Sequence, residues 1–233
     1  MGAFRLGAAS LTALLFMASP ALAQLDKHDI ETLGESAEAL RAIRTASDAG
    51  IPDAIWNKAQ CVVVIPELKK ASFIVGAEGG RGVLSCRKGQ AWTSPVFMEI
   101  AKGSFGLQAG AQKTQLVLMI MNRKGLDTLL SNKVTLGGDA SIAAGPVGRA
   151  ASAATDAQLN TEMLSYSRSK GIFAGIDLSG GTLKPDKDAN VRAYGHDVAV
   201  LNIANGTKQV TVPPQAQGFL AALGRDERGT TGR

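Results

Sequence analysis

The sequence predicts an α+β fold: a single domain dominated by antiparallel β-sheet that can curl into a barrel-like form, with an N-terminal helix and C-terminal helices. Three observations predict it. Apolar residues near the front of the chain recur at helical spacing. The middle alternates short apolar runs with turn residues about every ten positions, as antiparallel strands do. The last part returns to a helical pattern punctuated by Pro and Gly. With 45% hydrophobic residues in 233 positions, the chain can bury one sizeable core and is not wholesale disordered.

The front end comes first. MGAFR followed by LGAASLTALLFMASPALA has the layout of a secretory signal: one basic residue, an apolar stretch broken by Pro20, and Ala21-Leu22-Ala23 as a small-residue cleavage site. Residues 1–23 are therefore expected to be removed, leaving a chain that begins at Gln24 in the periplasm or outside the cell. No cysteine follows the cleavage site to accept a lipid. Only Arg5 is charged within this segment, so the mature chain keeps 24 of the 25 basic residues beside 20 acids. The cations are dispersed among the acids, which argues against a nucleic-acid binder.

From Asp26 to about Gly50, Ile30, Leu33, Ala37, Leu40 and Ile43 define the apolar stripe of a helix, and Gly50 with Pro52 supplies the stop. The other face of that helix is net acidic. Strands then follow at CVVVI, closed by Pro66; at ASFIVGA, closed by Glu78-Gly79-Gly80; and at GVLSCR, closed by Lys88-Gly89. PVFMEI and TQLVLMIM are further strands, GLDTLLSN is a short helix, and Glu162 to Asp177 reads as a hairpin turning at Ser169-Lys170-Gly171. Beyond Thr182 the pattern is helical, in KDANVRAYG and in PPQAQGFLAALG. The tail 224–233 reads as disordered.

Chemistry-bearing patterns are sparse. Cys61 and Cys86 lie in or beside strands, and two readings stand: a disulfide in an oxidising compartment, or two reduced, buried thiols. Their spacing matches no metal motif, and no metal or cofactor is expected. Ser167-Arg168-Ser169-Lys170 satisfies S-x-x-K, but that pattern requires Ser at a helix start, and here it ends a strand without its companion motifs. Asp186, Asp188 and Asn190 imitate a calcium loop, yet Val191 stands where the loop needs Gly, so capping of a helix by Asp186 explains them better. Gly145-Pro146-Val147-Gly148 lacks the spacing of a dinucleotide-binding loop. It can still hold backbone N–H groups beside Arg149, an arrangement that suits phosphate or carboxylate. No catalytic residue is assigned.

The runs VTLGGDASIAAGPVGRAASAA, YSRSKGIFAGIDLSGG and KDANVRAYG closely resemble the SYLF family, the lipid-binding module also described as the Ysc84-like actin-binding domain. GVLSCRKGQAWTSPVF, GSFGLQAGAQKTQLVLMI and PPQAQGFLAAL are similar to its middle and closing sections, so the likeness covers about residues 30 to 223. The resemblance implies a single-domain, non-enzymatic module over residues 24–223 that binds membrane lipid. Phosphoinositides are the family's best-known eukaryotic ligands, and F-actin is bound by fungal members. The envelope address argues against actin as a partner, and the acidic first helix lacks the basic face of an anionic-membrane binder.

The expected function is therefore binding of phospholipid or fatty acid at the bacterial envelope, at a peripheral membrane surface. Arg149, Arg168 and Lys170 are the headgroup candidates, the last two sharing one face of a strand. Phe73, Phe97, Phe105, Met119 and Phe173 either line an acyl cavity or belong to the core. Two other classes stay open: a structural or stress-related envelope protein acting through protein contacts, and a serine hydrolase using Ser167.

Overall fold

The structure, a computed structural model of the chain, describes residues 24–46, 50–72, 75–105, 110–129, 133–147, 161–169, 172–174, 178–196 and 198–224. Helix α1 (Lys27–Arg44) starts where Asp26 accepts from the Asp29 N–H and Asp29 accepts in return from the Asp26 N–H, a reciprocal cap that satisfies two N-terminal donors. It ends at Arg44 rather than near Gly50. Pro52 then begins a second, unpredicted helix, α2 (Asp53–Lys58), whose first turn needs no N–H from the proline.

Four long strands follow: β1 (Cys61–Ser72), β2 (Val75–Lys88), β4 (Val96–Phe105) and β5 (Gly110–Ile120), with β3 (Ala91–Trp92) folded back on the end of β2. Helix α3 (Arg123–Leu129) leads to β6 (Val134–Thr135) and β7 (Ile142–Ala144). The hairpin of β8 (Met163–Ser169) and β9 (Ile172–Ala174) comes next, and then β10 (Thr182–Pro185). The chain closes with α4 (Lys187–Tyr194), α5 (Val200–Ala204), a 3-10 turn at Pro214–Ala216 and α6 (Gln217–Leu223). The sheet runs β6-β10-β4-β2-β1-β5-β8-β7 and curls into a half-barrel. Every pairing is antiparallel except β7 with β8. The predicted α+β class and antiparallel dominance hold.

Both faces of the central strands are covered, which is why CVVVI reads as a continuous apolar run instead of alternating. Val62, Val64, Val83, Phe97, Val117, Met119, Leu164 and Tyr166 pack against α1, α2, α4 and α6 on one face. Val63, Ile65, Leu84, Met98, Leu116, Leu118 and Met163 form the other, beneath α3 and α5. Cys61 and Cys86 stand directly opposite each other in the β1–β2 register and are joined by a disulfide. Arg87 donates its N–H to the Gln60 carbonyl one step beyond, so the cysteines occupy a non-hydrogen-bonded position, where opposed side chains come closest.

Four further boundaries differ from the sequence reading. Pro66 does not close β1: the strand continues through a bulge between Ile65 and Leu68, the kind of position at which a sheet tolerates a residue without an N–H donor. ASFIVGA is not a strand of its own, since β1 ends at Ser72 and β2 begins at Val75. Glu78-Gly79-Gly80 lies inside β2. A Cβ on Gly82 would sit 2.0 Å from the Val64 carbonyl oxygen and one on Gly80 would sit 2.7 Å from that of Glu67, so these glycines admit the bulged backbone of β1 rather than making a turn. Beyond Thr182 the chain adds β10 before turning helical.

Candidate functional site

The bulge builds the site. Because the two faces of a strand alternate, one extra residue exchanges them: Val62 and Val64 face α1 before the bulge, whereas Glu67 and Lys69 face that side after it. Neighbouring strands show the same passage from apolar to charged along the α1-facing rows. Val83 gives way to Arg81 on β2, Phe97 to Glu99 on β4, Val117 to Gln115 and Lys113 on β5, and Tyr166 to Arg168 on β8. The hydrophobic core thus stops partway under α1, and a charged groove continues from it.

Two adjoining hollows make up this groove, of about 410 and 550 Å³, sharing Glu35, Pro66 and Glu67 in their walls. Glu35 and Glu38 line it from α1, opposite Lys113 and Arg168 on the sheet. Glu31 and His28 continue the helix wall towards Lys69, Arg81 and Glu99. Both charge signs face the same space, and carboxylates outnumber cations.

Several of these groups already hold one another. Glu67 pairs with Lys113 and with Lys69 Nζ at 2.8 Å, and the two ammonium groups, Lys113 foremost, hold its carboxyl below the ordinary value. The Glu67 contact in turn raises the Lys69 ammonium. Arg81 reaches Asp186 at 2.8 Å, and Lys184 reaches Glu99 at 2.9 Å. Among the described residues no ion pair involves Glu35 or Glu38. The groove therefore sets Glu35 and Glu38 on the helix opposite a sheet wall in which Lys69, Arg81, Lys113 and Arg168 are interleaved with Glu67 and Glu99, an arrangement that can bind a ligand carrying a positive and a negative group.

One end of α1 is fixed by a separate device. Arg192 on α4 forks onto Asp29, Nε at 2.6 Å and Nη2 at 2.8 Å, with Asp29 only 1% exposed. This contact raises the Arg192 guanidinium further. Asp186 accepts from the Ala189 N–H and caps α4, while Asn190 donates to the Phe97 carbonyl and accepts from the Phe97 N–H. Of the residues that imitate a calcium loop, Asp186 thus acts as a helix cap and Asn190 as a strand tie. Among the described residues no cluster of three His, Cys, Asp or Glu suits a metal ion.

Of the predicted headgroup residues, Arg168 lies in the groove wall, and Arg149 and Lys170 lie outside the described residues. Phe97 and Met119 are buried in the core. The side chains of Phe73, Phe105 and Phe173 lie outside the described residues. Ser167 sits in β8, buried and on the face opposite Arg168, not at a helix start. Sequence reading missed Glu35, Glu38, Glu67 and Lys113 as a set. The acidic flank of α1 was visible, but the parity change at Pro66-Glu67 that turns Glu67 towards it was not.

A family model described as "Ysc84: Las17-binding protein actin regulator" matches residues 101–225. Protein YSC84 of Saccharomyces cerevisiae is 32% identical over 76% of this chain and 38% of its own length. An SH3 domain-containing protein of Schizosaccharomyces pombe is 33% identical over 74% of this chain and 40% of its own. The SH3 domain-containing YSC84-like protein 1 of Bos taurus is 29% identical over 77% and 52%. The chain thus spans about half the length of these relatives or less.

Proposed function

The chain belongs to the Ysc84 family, and from that premise we propose that it is a non-enzymatic lipid-binding protein of the bacterial envelope whose α1 groove takes a phospholipid headgroup. The observation that carries the reading is the opposition of Glu35 and Glu38 to Lys113 and Arg168 across one groove. An ammonium of a zwitterionic headgroup finds carboxylates on the helix, and its phosphate finds cations on the sheet, by charge-assisted hydrogen bonds. A phosphoinositide-like headgroup fits less well, because the carboxylates of the same walls oppose added negative charge.

The signal-like segment 1–23 and the Cys61–Cys86 disulfide support the envelope location, since disulfides persist in oxidising compartments. N-terminal sequencing of the protein from a periplasmic fraction should begin at Gln24. For lipid binding, the test is flotation of residues 24–233 with phosphatidylethanolamine vesicles and with phosphatidylglycerol vesicles, beside mass spectrometry of co-purified lipid. Association with the zwitterionic lipid, weakened in Glu35→Gln/Glu38→Gln and in Arg168→Ala, is expected. No association and no bound lipid would sink the reading.

The family description and the names of relatives as Las17-binding proteins favour a second reading, an envelope protein acting through protein contacts. A stoichiometric protein partner recovered without lipid would select it. Labelling of Ser167 by a fluorophosphonate would instead point to a hydrolase.

A further inference from the structure

At the opposite end of the same sheet, beside the disulfide, lies a third hollow of about 270 Å³ with a different electrostatic character. Its charged lining residues are Lys58 at the end of α2, Arg87 at the end of β2 and Arg123 at the start of α3, with no carboxylate among the residues that line it. Arg123 Nε pairs with Asp127 at 2.9 Å, and among the described residues its terminal nitrogens make no ion pair.

Arg87 is set in place before any ligand arrives. Its Nε and Nη2 donate to the Ala59 and Trp56 carbonyls at 3.3 and 3.1 Å, and its guanidinium lies 4.5 Å from the centre of the Trp92 ring. These bonds use two of the five N–H donors of the fork. Amide side chains of Asn57, Gln60 and Asn205 complete the polar wall. The Asn205 side-chain oxygen is buried with no hydrogen-bond partner among the described residues, and turning that amide over would present an NH2 group instead. Three cations around a concave space concentrate positive potential there, and a rigid Arg fork matches phosphate oxygens.

We propose that this hollow is a phosphate-binding site, formed by Lys58, Arg87 and Arg123, that takes a phosphate group either free or as part of a lipid headgroup. It is independent of the α1 groove, whose walls carry more carboxylates than cations. The experiment uses residues 24–233 with two probes. Inorganic phosphate is titrated against the amide NMR signals of Gln60 and Arg87. In parallel, flotation compares phosphatidylcholine vesicles doped with phosphatidic acid against phosphatidylcholine alone.

The test variant is Lys58→Gln/Arg123→Gln, both exposed positions, with Arg87 kept because it ties two backbone carbonyls. Binding of either probe that falls about tenfold or more in this variant, with an unchanged melting temperature, supports the site. Loss confined to phosphate assigns a free anion; loss with the doped vesicles assigns a headgroup. Glu35→Gln/Glu38→Gln weakens the groove's own hold on phosphatidylcholine, but the phosphate titration and the gain of doped over undoped vesicles should persist in it, which separates this site from the groove. No response to either probe, or equal binding by the wild type and Lys58→Gln/Arg123→Gln, overturns the proposal.

Discussion

Gly145, the first residue of the Gly-Pro-Val-Gly run in the sequence, is required by packing. A Cβ there would stand 2.2 Å from the Tyr166 ring, which lies against the backbone as Gly145 donates its N–H to the Ser165 carbonyl at 2.8 Å. Tyr166 is buried, and burial raises its hydroxyl above the ordinary value. Gly145→Ala should cost about 1 to 3 kcal/mol, because the ring has a filled core behind it and nowhere to move. Denaturant melts would show a lower midpoint with an unchanged slope; an unaltered midpoint would refute the packing account. A second residue carries more. Arg192→Ala would leave Asp29 buried at 1% exposure without its bidentate partner, at a cost of about 3 to 5 kcal/mol. The double variant Asp29→Asn/Arg192→Gln should lose less than Arg192→Ala, since no unpaired charge is left. Both residues stand in the sequence in plain sight, yet a sequence separation of 163 hides the pair until α4 docks on α1.

At the scale of elements, the decisive feature is the bulge in β1. Apolar runs, turn residues and helical spacing located α1, the central strands, the β8–β9 hairpin and α4 from the sequence, because each is a local pattern with its own period. Pro66 was legible as an interruption but not as a bulge, since whether a strand stops or continues past a proline depends on the glycines of the strand opposite. The short pieces β6, β7 and β10 were not legible, as two to four residues carry no periodicity. The same bulge sets a pH dependence. Its Glu67 is held below its ordinary 4.5 by Lys113 and Lys69. A lowered folded-state value means that the contact stabilises fully above 4.5 and is lost as pH falls below it towards the folded value. Melting temperature should therefore drop on acidification below that value, and Glu67→Gln should flatten this part of the profile while lowering the plateau at neutral pH. An acid limb of equal steepness in Glu67→Gln would assign it to other carboxylates, such as Asp26, which the Asp29 N–H likewise holds low.

Across the whole molecule, charge is sorted between the two ends of the curled sheet. At the end reached by Lys69, Arg81, Lys113 and Arg168, cations share a groove with Glu31, Glu35, Glu38, Glu67 and Glu99. At the disulfide end, Lys58, Arg87 and Arg123 line a hollow without a carboxylate. Composition could not reveal this division, because 25 basic and 20 acidic residues spread along the chain look evenly mixed. Only the sheet register sorts them, bringing Lys58 near Arg123 and Glu35 near Arg168. Salt should tell the two ends apart. A headgroup of zero net charge in a groove of both signs is held by short contacts between neighbouring groups, with little attraction at long range. A phosphate entering a hollow of three cations is drawn from farther away, and raising ionic strength from about 0.1 to 1 M shortens the screening length from about 10 to 3 Å. Binding of inorganic phosphate should accordingly weaken steeply over that range, while flotation with phosphatidylethanolamine changes much less. Equal salt slopes for the two ligands would mean that both use one site, and Lys58→Gln/Arg123→Gln measured beside Arg168→Ala would then show which end holds it.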